Sequence, residues 1–529
     1  MSADAVAAPT PGSATRQQGP GALTALTRHA SLNAMAALLD YAGKVGVQLV
    51  VTPILVSGLG RALFGAWEIL TRLVGYVSAT DGRPTEVVRL VVAQHQGSTD
   101  DAARQRVVGA ALVVWALVVP LMLVGGAVLV VLAPILTNVP AEQWTDVRLC
   151  TALLVATSMA TTLVSIPEAV LRGSNLGYKR MGLQALVNVA GGGLAAAAVM
   201  TGLGLPGVGG AQLIRAGAMG VLFWLLVRVH VSWFRVAKPA LREVASLFRL
   251  GAWLTGGDLI AKAVLASDVV ILGAVLAPEA ATTYVLTGYA GRLAVGIHMF
   301  TAGAAIPGVG GMLGAGQLAR AGRSRQELLV LTWLFVTAAG TGILLWNRSF
   351  LSLWVGPENY AGGLINLLVV LITAQTAFIR VDAYLLDAAL RPRQRVLVGA
   401  GAAAVTIGLG IMLTRQFGVP GMCLGLLAGR AVQSLAYPVL VRRGLSVGGN
   451  PGVGLPDTAR LAACTAVAFG TATVLGNQLV VPTWSGWLAG VALTLPVTAA
   501  AALRLGPSAP TRAILLRRCR TALSAFRGA

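Results

Sequence analysis

The chain reads as an all-α polytopic membrane protein of about fourteen transmembrane helices, on three observations. Apolar segments long enough to cross a bilayer recur along its whole length, charge is scarce, and Lys and Arg collect on alternate loops. At 529 residues, 56% hydrophobic and only 11% charged, with a mean hydropathy of +0.77, it has too little polar surface to clothe soluble domains in water.

Residues 1–30 are rich in Ala, Pro, Gly, Ser and Thr, with no apolar core of a signal peptide, and are expected to be a disordered cytoplasmic tail. Spans follow at 32–58, 61–80, 107–133, 147–170, 183–203 and 207–229, the N-terminal lobe of residues 31–230. The stretch 231–249 sets Leu241, Val244, Leu247 and Phe248 at helical spacing opposite Arg242 and Glu243. It reads as an interfacial linker helix with Trp233 and Phe234 at headgroup depth. Spans at 250–277, 282–306, 328–354, 361–390, 394–414 and 418–441 make the C-terminal lobe of residues 250–442. A cytoplasmic loop over 443–457 leads to two further spans, 458–480 and 484–504, within 458–505, and a basic cytoplasmic tail over 506–529 closes the chain.

The formal net charge is +21, yet of 40 Lys and Arg the loops on one side hold only Arg61, Arg148, Arg348 and Arg415. Short-loop basic bias fixes orientation, so both termini are expected on the cytoplasmic side of a bacterial inner membrane. Because the bases are spread over short loops, no nucleic-acid partner is expected. Cys150, Cys423, Cys464 and Cys519 have neither disulfide-framework nor metal-ligand spacing, and read as apolar filler.

The two lobes repeat. Asp40-x-x-x-Lys44 on the first span corresponds to Asp258-x-x-x-Lys262 on the seventh. Leu205-Pro206-Gly207 with Arg215 on the sixth corresponds to Val419-Pro420-Gly421 with Arg430 on the twelfth. Six spans per copy is an even number, so the copies are related by a pseudo-two-fold axis along the membrane normal. The last two spans lie outside the repeat.

Ser267-Asp268-Val269-Val270-Ile271-Leu272-Gly273, then Ala277-Pro278-Glu279 and Tyr284, resembles the seventh-to-eighth span signature of bacterial polysaccharide flippases, in the multidrug/oligosaccharidyl-lipid/polysaccharide exporter superfamily. Leu171-Arg172-Gly173-Ser174-Asn175-Leu176-Gly177 resembles their loop after span four. The likeness covers about residues 30 to 505. It implies two six-helix lobes forming a V around a central cavity, flanked by spans 1, 2, 7 and 8. In related lipid-linked sugar flippases that cavity is cationic and receives a pyrophosphate headgroup.

A charge at mid-bilayer costs about 2.5 to 3.5 kcal/mol, so each needs a partner, water or a function. Lys44, Arg72, Lys262, Arg292 and Arg430 each lie roughly 12 to 18 Å from the nearer end of their span, counting 1.5 Å per residue, and are the candidate substrate-binding set. Asp40 with Lys44, Glu68 with Arg72, and Asp258 with Lys262 are i, i+4 pairs that can neutralise one another with no ligand. Arg215, Arg292, Arg380 and Arg430 have no acidic residue three or four positions away and gain no such relief. Arg suits a diphosphate because its planar fork bonds two oxygens at once, whereas Lys is a mobile point charge. Tyr41, Gln48, Trp67, Tyr284 and Tyr289 are candidate sugar contacts, each equally readable as packing. Asp40, Asp258 and Asp268 are candidates for ion coupling, and a lone His298 reads more readily as a satisfied core histidine.

Gly202-x-Gly204-x-x-Gly207 matches a dinucleotide fingerprint by letter but sits in a turn between two helices with no strand before it. Hydrolase and ATPase motifs are absent, so no catalysis and no cofactor is expected. The reading is a flippase carrying a polyprenyl-pyrophosphate-linked oligosaccharide from the inner to the outer leaflet by alternating access. Its expected partners are membrane lipids and polysaccharide polymerase or export machinery. The alternatives are a cation-coupled drug or toxin exporter of the same superfamily, a membrane-embedded polysaccharide polymerase or ligase, and a catalytically silent scaffold.

Overall fold

A computed structural model describes residues 20–94, 100–303, 306–389, 392–445 and 455–509, with 512, 513 and 516. Every regular element among them is helical, and ten helices are long and apolar enough to cross a membrane. Two of those are bent at a glycine. α1 (Pro20–Ser78) turns at Gly60, with φ 76° and ψ 167°, where the first two expected spans meet. The conformation lies in a region open essentially to Gly alone.

The N-terminal half continues with α2 (Pro84–Gln94), α3 (Asp101–Thr137), α4 (Trp144–Gly173), α5 (Tyr178–Met200) and α6 (Gly204–His230). α4 packs on α6, α5 on α1 and α6, and α2 on α4 and α3. α2 was not expected: it is a short helix begun by Pro84 whose Val87, Val88 and Val92 are buried against α3 and α4. The glycine motif set aside above forms the turn into α6, with Gly202 at φ 80° and Gly204 at φ 55°.

The linker differs from expectation. α7 (Leu241–Val275) is one continuous helix, so the stretch expected as a separate interfacial helix supplies its first turns. Trp233 lies buried, under the Arg104 guanidinium at 4.9 Å and with its carbonyl accepting a hydrogen bond from Gln105 at 2.9 Å, where headgroup contact was expected.

The expected eighth span is built from two helices, α8 (Pro278–Thr287) and α9 (Tyr289–Gly303), which meet at Gly288. Gly288 N donates to Tyr284 O at 2.9 Å and Arg292 N to Gly288 O at 3.0 Å, so the helical path carries across. α10 (Ile306–Gly314), α11 (Leu318–Trp354) and α12 (Gly363–Ala388) follow. α13 (Pro392–Leu445) then turns at Gly418, with φ 62° and ψ −139°. Its two arms pack against each other: Gly421, Gly425 and Gly429 face Leu413, Gly410 and Thr406, and a Cβ on Gly425 would lie 2.7 Å from Gly410 Cα. Small residues every fourth position let helices approach this closely in lipid. α14 (Leu455–Gln478) and α15 (Trp484–Leu505) pack on α11.

Two belts of contacts join the halves along α1, α7 and α8. At one end Thr282 Oγ1 donates to Arg61 O at 2.6 Å and Asn138 Nδ2 to Leu276 O at 3.1 Å, while Trp354 Nε1 donates to Leu49 O at 2.7 Å. At the other end Arg106 meets Glu243 at 2.9 Å, Arg83 pairs with Asp258, and Gly251 packs against the Gly82 carbonyl.

Candidate functional site

Between the belts, a cavity of about 460 Å³ opens among the second arm of α1, the turn into α2, α4, α6 and α7. Its wall is rich in hydroxyls, from Thr71, Ser78, Thr157, Ser158, Thr161, Thr162 and Ser165, with Trp67 at its apolar edge. Hydroxyls satisfied by carbonyls of their own helix, as Thr161 is by Thr157 O at 2.7 Å, are tolerated in lipid while still offering lone pairs to a guest.

Three basic groups and two acidic ones line this space: Arg83, Arg215 and Lys262 against Asp81 and Asp258. Asp258 forms two ion pairs, with Lys262 at 3.2 Å and with Arg83, while its buried Oδ2 accepts no hydrogen bond. Lys262 Nζ also donates to Gly75 O at 2.7 Å and Ser78 Oγ at 3.1 Å, so it ties α7 to α1. Asp81 accepts from Thr162 at 3.0 Å and from the backbone N–H of Arg83, which has φ 51°, at 2.9 Å. These contacts staple the turn into α2 to α4 and α7.

Arg215 is different. Its Nε donates to Gln212 at 3.0 Å and its Nη1 to Asn188 at 3.1 Å, and among the described residues no carboxylate pairs with it. A Cβ at Gly191 would lie 2.5 Å from Arg215 Cδ, so the glycine makes room for the arginine stem. Neutral amides orient the guanidinium without cancelling its charge, which leaves it available to an anion.

A second cluster lies where α1 meets α8 and α9. Arg72 and Glu68 are 3.6 Å apart, a loose ion pair. Asp268 accepts from Tyr284 OH at 2.8 Å and from Val269 N at 2.9 Å. Arg292 is exposed, donates to Val285 O at 2.6 Å, and lies 5.9 Å from the Tyr289 ring. Glu68, Arg72, Tyr284 and Asp268 are all within its electrostatic reach, yet none forms an ion pair with it.

The five bases expected to share one site therefore fall in separate places. Lys262 lines the cavity beside Asp258, Arg72 and Arg292 share the α1–α9 seam, and Arg430 faces a different cavity inside the C-terminal half. Lys44 is exposed on α1, and neither it, Arg72 nor Arg292 lines the hydroxyl-rich cavity. Asp40 lies on α1 with its side chain outside the described residues. Of the candidate sugar contacts, Trp67 lines the cavity. Tyr41 donates to Leu293 O at 3.3 Å, Tyr284 is committed to Asp268, and Tyr289 packs on Trp354 at 4.6 Å. His298 is buried, 3.4 Å from Thr332 and stacked on Phe335 at 5.5 Å. Sequence reasoning left Arg83 out of the site, since its partner lies far along the chain and no spacing announces the pair.

The arrangement of these helices matches known transporters. A lipid II flippase, MurJ, in an inward closed conformation superposes with a TM-score of 0.67 at 10% identity, covering 89% of this chain and 99% of that one. A multidrug resistance MATE family transporter of the MOP superfamily, inward-facing, gives a TM-score of 0.62 at 15% identity, covering 76% of this chain and 94% of that one. The chain has the fold of the MOP superfamily transporters. An outward-facing conformation of a MATE family transporter gives a TM-score of 0.52 at 14% identity, covering 78% of this chain and 95% of that one. No protein-family model matches the chain. In sequence it is 30% identical over 244 residues to a probable multidrug resistance protein NorM of Deinococcus radiodurans, covering 44% of this chain and 54% of that protein. The chain thus spans about half the length of that curated relative.

Proposed function

We propose that this chain is an alternating-access transporter that carries a polyprenyl-pyrophosphate-linked oligosaccharide from the inner to the outer leaflet. The observation that carries the reading is a pair of guanidiniums, Arg215 on the cavity wall and Arg292 on α9, that have only neutral hydrogen-bond acceptors. A diphosphate supplies the missing negative charge in bidentate form. The hydroxyl wall and Trp67 offer the hydrogen bonds and stacking face that sugars take, and the isoprenoid stays in lipid. Orientation follows the loop charges: the belt at Arg61, Asn138 and Leu276 faces outward, and the headgroup enters from the cytoplasmic side. An inside-negative potential favours outward movement of an anion by roughly 2.3 kcal/mol per charge per 100 mV, so no nucleotide is needed.

The NorM likeness favours a second reading, export of a cationic drug. It requires an acidic binding surface, whereas Asp258 is already neutralised by two bases and Asp81 is held by Thr162. The two readings separate in cells lacking this chain. Mass spectrometry of their lipid extract finds a polyprenyl-pyrophosphate glycan accumulated on the inner leaflet under the first reading. Under the second it finds an unchanged lipid-linked pool, with raised sensitivity to cationic dyes.

A further inference from the structure

Inside the C-terminal half, α7, α12 and both arms of α13 enclose a second cavity, of about 300 Å³, separate from the one described. Three guanidiniums line it. Arg395 sits at the α12–α13 end, paired with Asp387. Arg380 lies two turns further in on α12 and, among the described residues, forms no ion pair. Arg430 is deepest, only 6% exposed, and donates to Thr376 Oγ1 and, at 3.4 Å, to Ile372 O. Its Nε is buried with no hydrogen-bond partner. From Asp387 to Thr376 on α12 is eleven residues, or about 16 Å along the axis, so the arginines form a file running from the helix end into the membrane.

Nearby acids only partly offset this file. Asp387 is paired with Arg395, Asp382 is held bidentate by Arg325 at 2.6 and 2.9 Å, and Asp268, hydrogen-bonded to Tyr284, acts on Arg430 without a direct ion pair. A guanidinium buried in low dielectric with an unmet N–H and no direct ion pair is costly, and an anion relieves both deficits at once.

We propose that this cavity is a binding site for a phosphoryl oxyanion, with Arg380 and Arg430 as its ligands and Arg395 at its mouth. The oxyanion comes either free as inorganic phosphate or on the headgroup of an anionic phospholipid entering beside α12. The site is distinct from the transported headgroup's and would hold the C-terminal half together whichever substrate the interlobe cavity takes.

The test uses the full chain purified in detergent. Thermal unfolding is followed against inorganic phosphate, with chloride at equal ionic strength as the control, and native mass spectrometry follows retention of added phosphatidylglycerol. Wild-type protein is stabilised by phosphate, or retains the lipid, and Arg380→Gln weakens that binding at least tenfold, while Arg148→Gln, an exposed change in the other half, leaves it unchanged. Stabilisation by phosphate alone assigns the free ion, and lipid retention alone assigns the headgroup. Arg380 is only partly buried, so R380Q folds where a change at Arg430 would not. If neither ligand binds, or if R380Q binds both as wild type does, the site does not exist. Neither result bears on transport, which R292A reads separately.

Discussion

Arg215 and Arg430 hold corresponding places in the two halves, each following a Pro-Gly step at the start of its helix arm; Arg215 faces the cavity that α7 of the other half helps to line, and Arg430 a cavity inside its own half. Arg215 is oriented by two amides beside an open wall of hydroxyls; Arg430 is buried, with one N–H unmet. Lys262, which lines the same cavity as Arg215, carries the same charge but is answered by Asp258. The contrast teaches that charge in the membrane is not itself the sign of a site. Where a carboxylate answers the base, the pair fixes helix to helix; where only neutral acceptors do, the charge stays uncancelled, as the proposed anion site requires.

The sharpest way to break this distinction is to remove one base of each kind. Arg292→Ala is expected to reduce substrate translocation by at least tenfold while leaving abundance in the membrane unchanged, as quantitative immunoblotting of membranes beside an export assay would report. Wild-type export from R292A would remove the basis for reading unpaired arginines as ligands.

Packing at the Gly418 bend sharpens the comparison from the structural side. Because Gly425 lies against Gly410, Gly425→Val forces the arms apart and should destabilise the protein by about 1–3 kcal/mol. Unfolding in detergent would show it, and the corresponding change at Gly470, which has open space, should be nearly silent.

At the paired base the effect is smaller. Asp258→Asn leaves Arg83 and Lys262 facing each other without their shared carboxylate, and since all three are partly exposed the loss should be about 1 kcal/mol. Adding Lys262→Met should recover part of that loss, which a double-mutant cycle measures directly.

The smallest effect is expected at Glu243. The Ala240 backbone N–H and then the Arg106 guanidinium hold its carboxyl below the usual carboxylate range. A depressed native pKa contributes stability above the unfolded value, lost as pH falls through the native one. Glu243→Gln should therefore cost a few tenths of a kcal/mol to about 1 kcal/mol at neutral pH and little at strongly acidic pH. A pH series of unfolding midpoints would check it.

Much of the fold was legible because a bilayer demands long apolar helices, and hydropathy reads length directly. The break at Gly60 falls between two expected spans and that at Gly418 on the first residue of one, where a glycine could take a conformation closed to other residues. What escaped was set by tertiary contact. α2 is too short to register as a span, and Trp233 turned inward because Arg104 and Gln105 of α3 were there to meet it. The charged residues were legible as a class but not as groups: spacing found the Asp258–Lys262 pair, whereas Arg83 joining it, and Arg430 facing away from Arg292, depend on which helices meet.

The most direct measurement is leaflet-resolved translocation in proteoliposomes holding the purified chain under an inside-negative potential. It offers a fluorescent polyprenyl-pyrophosphate-linked glycan beside a cationic dye. Translocation of the anionic lipid with no movement of the dye is the predicted result; dye transport with the lipid left in its original leaflet would contradict the account.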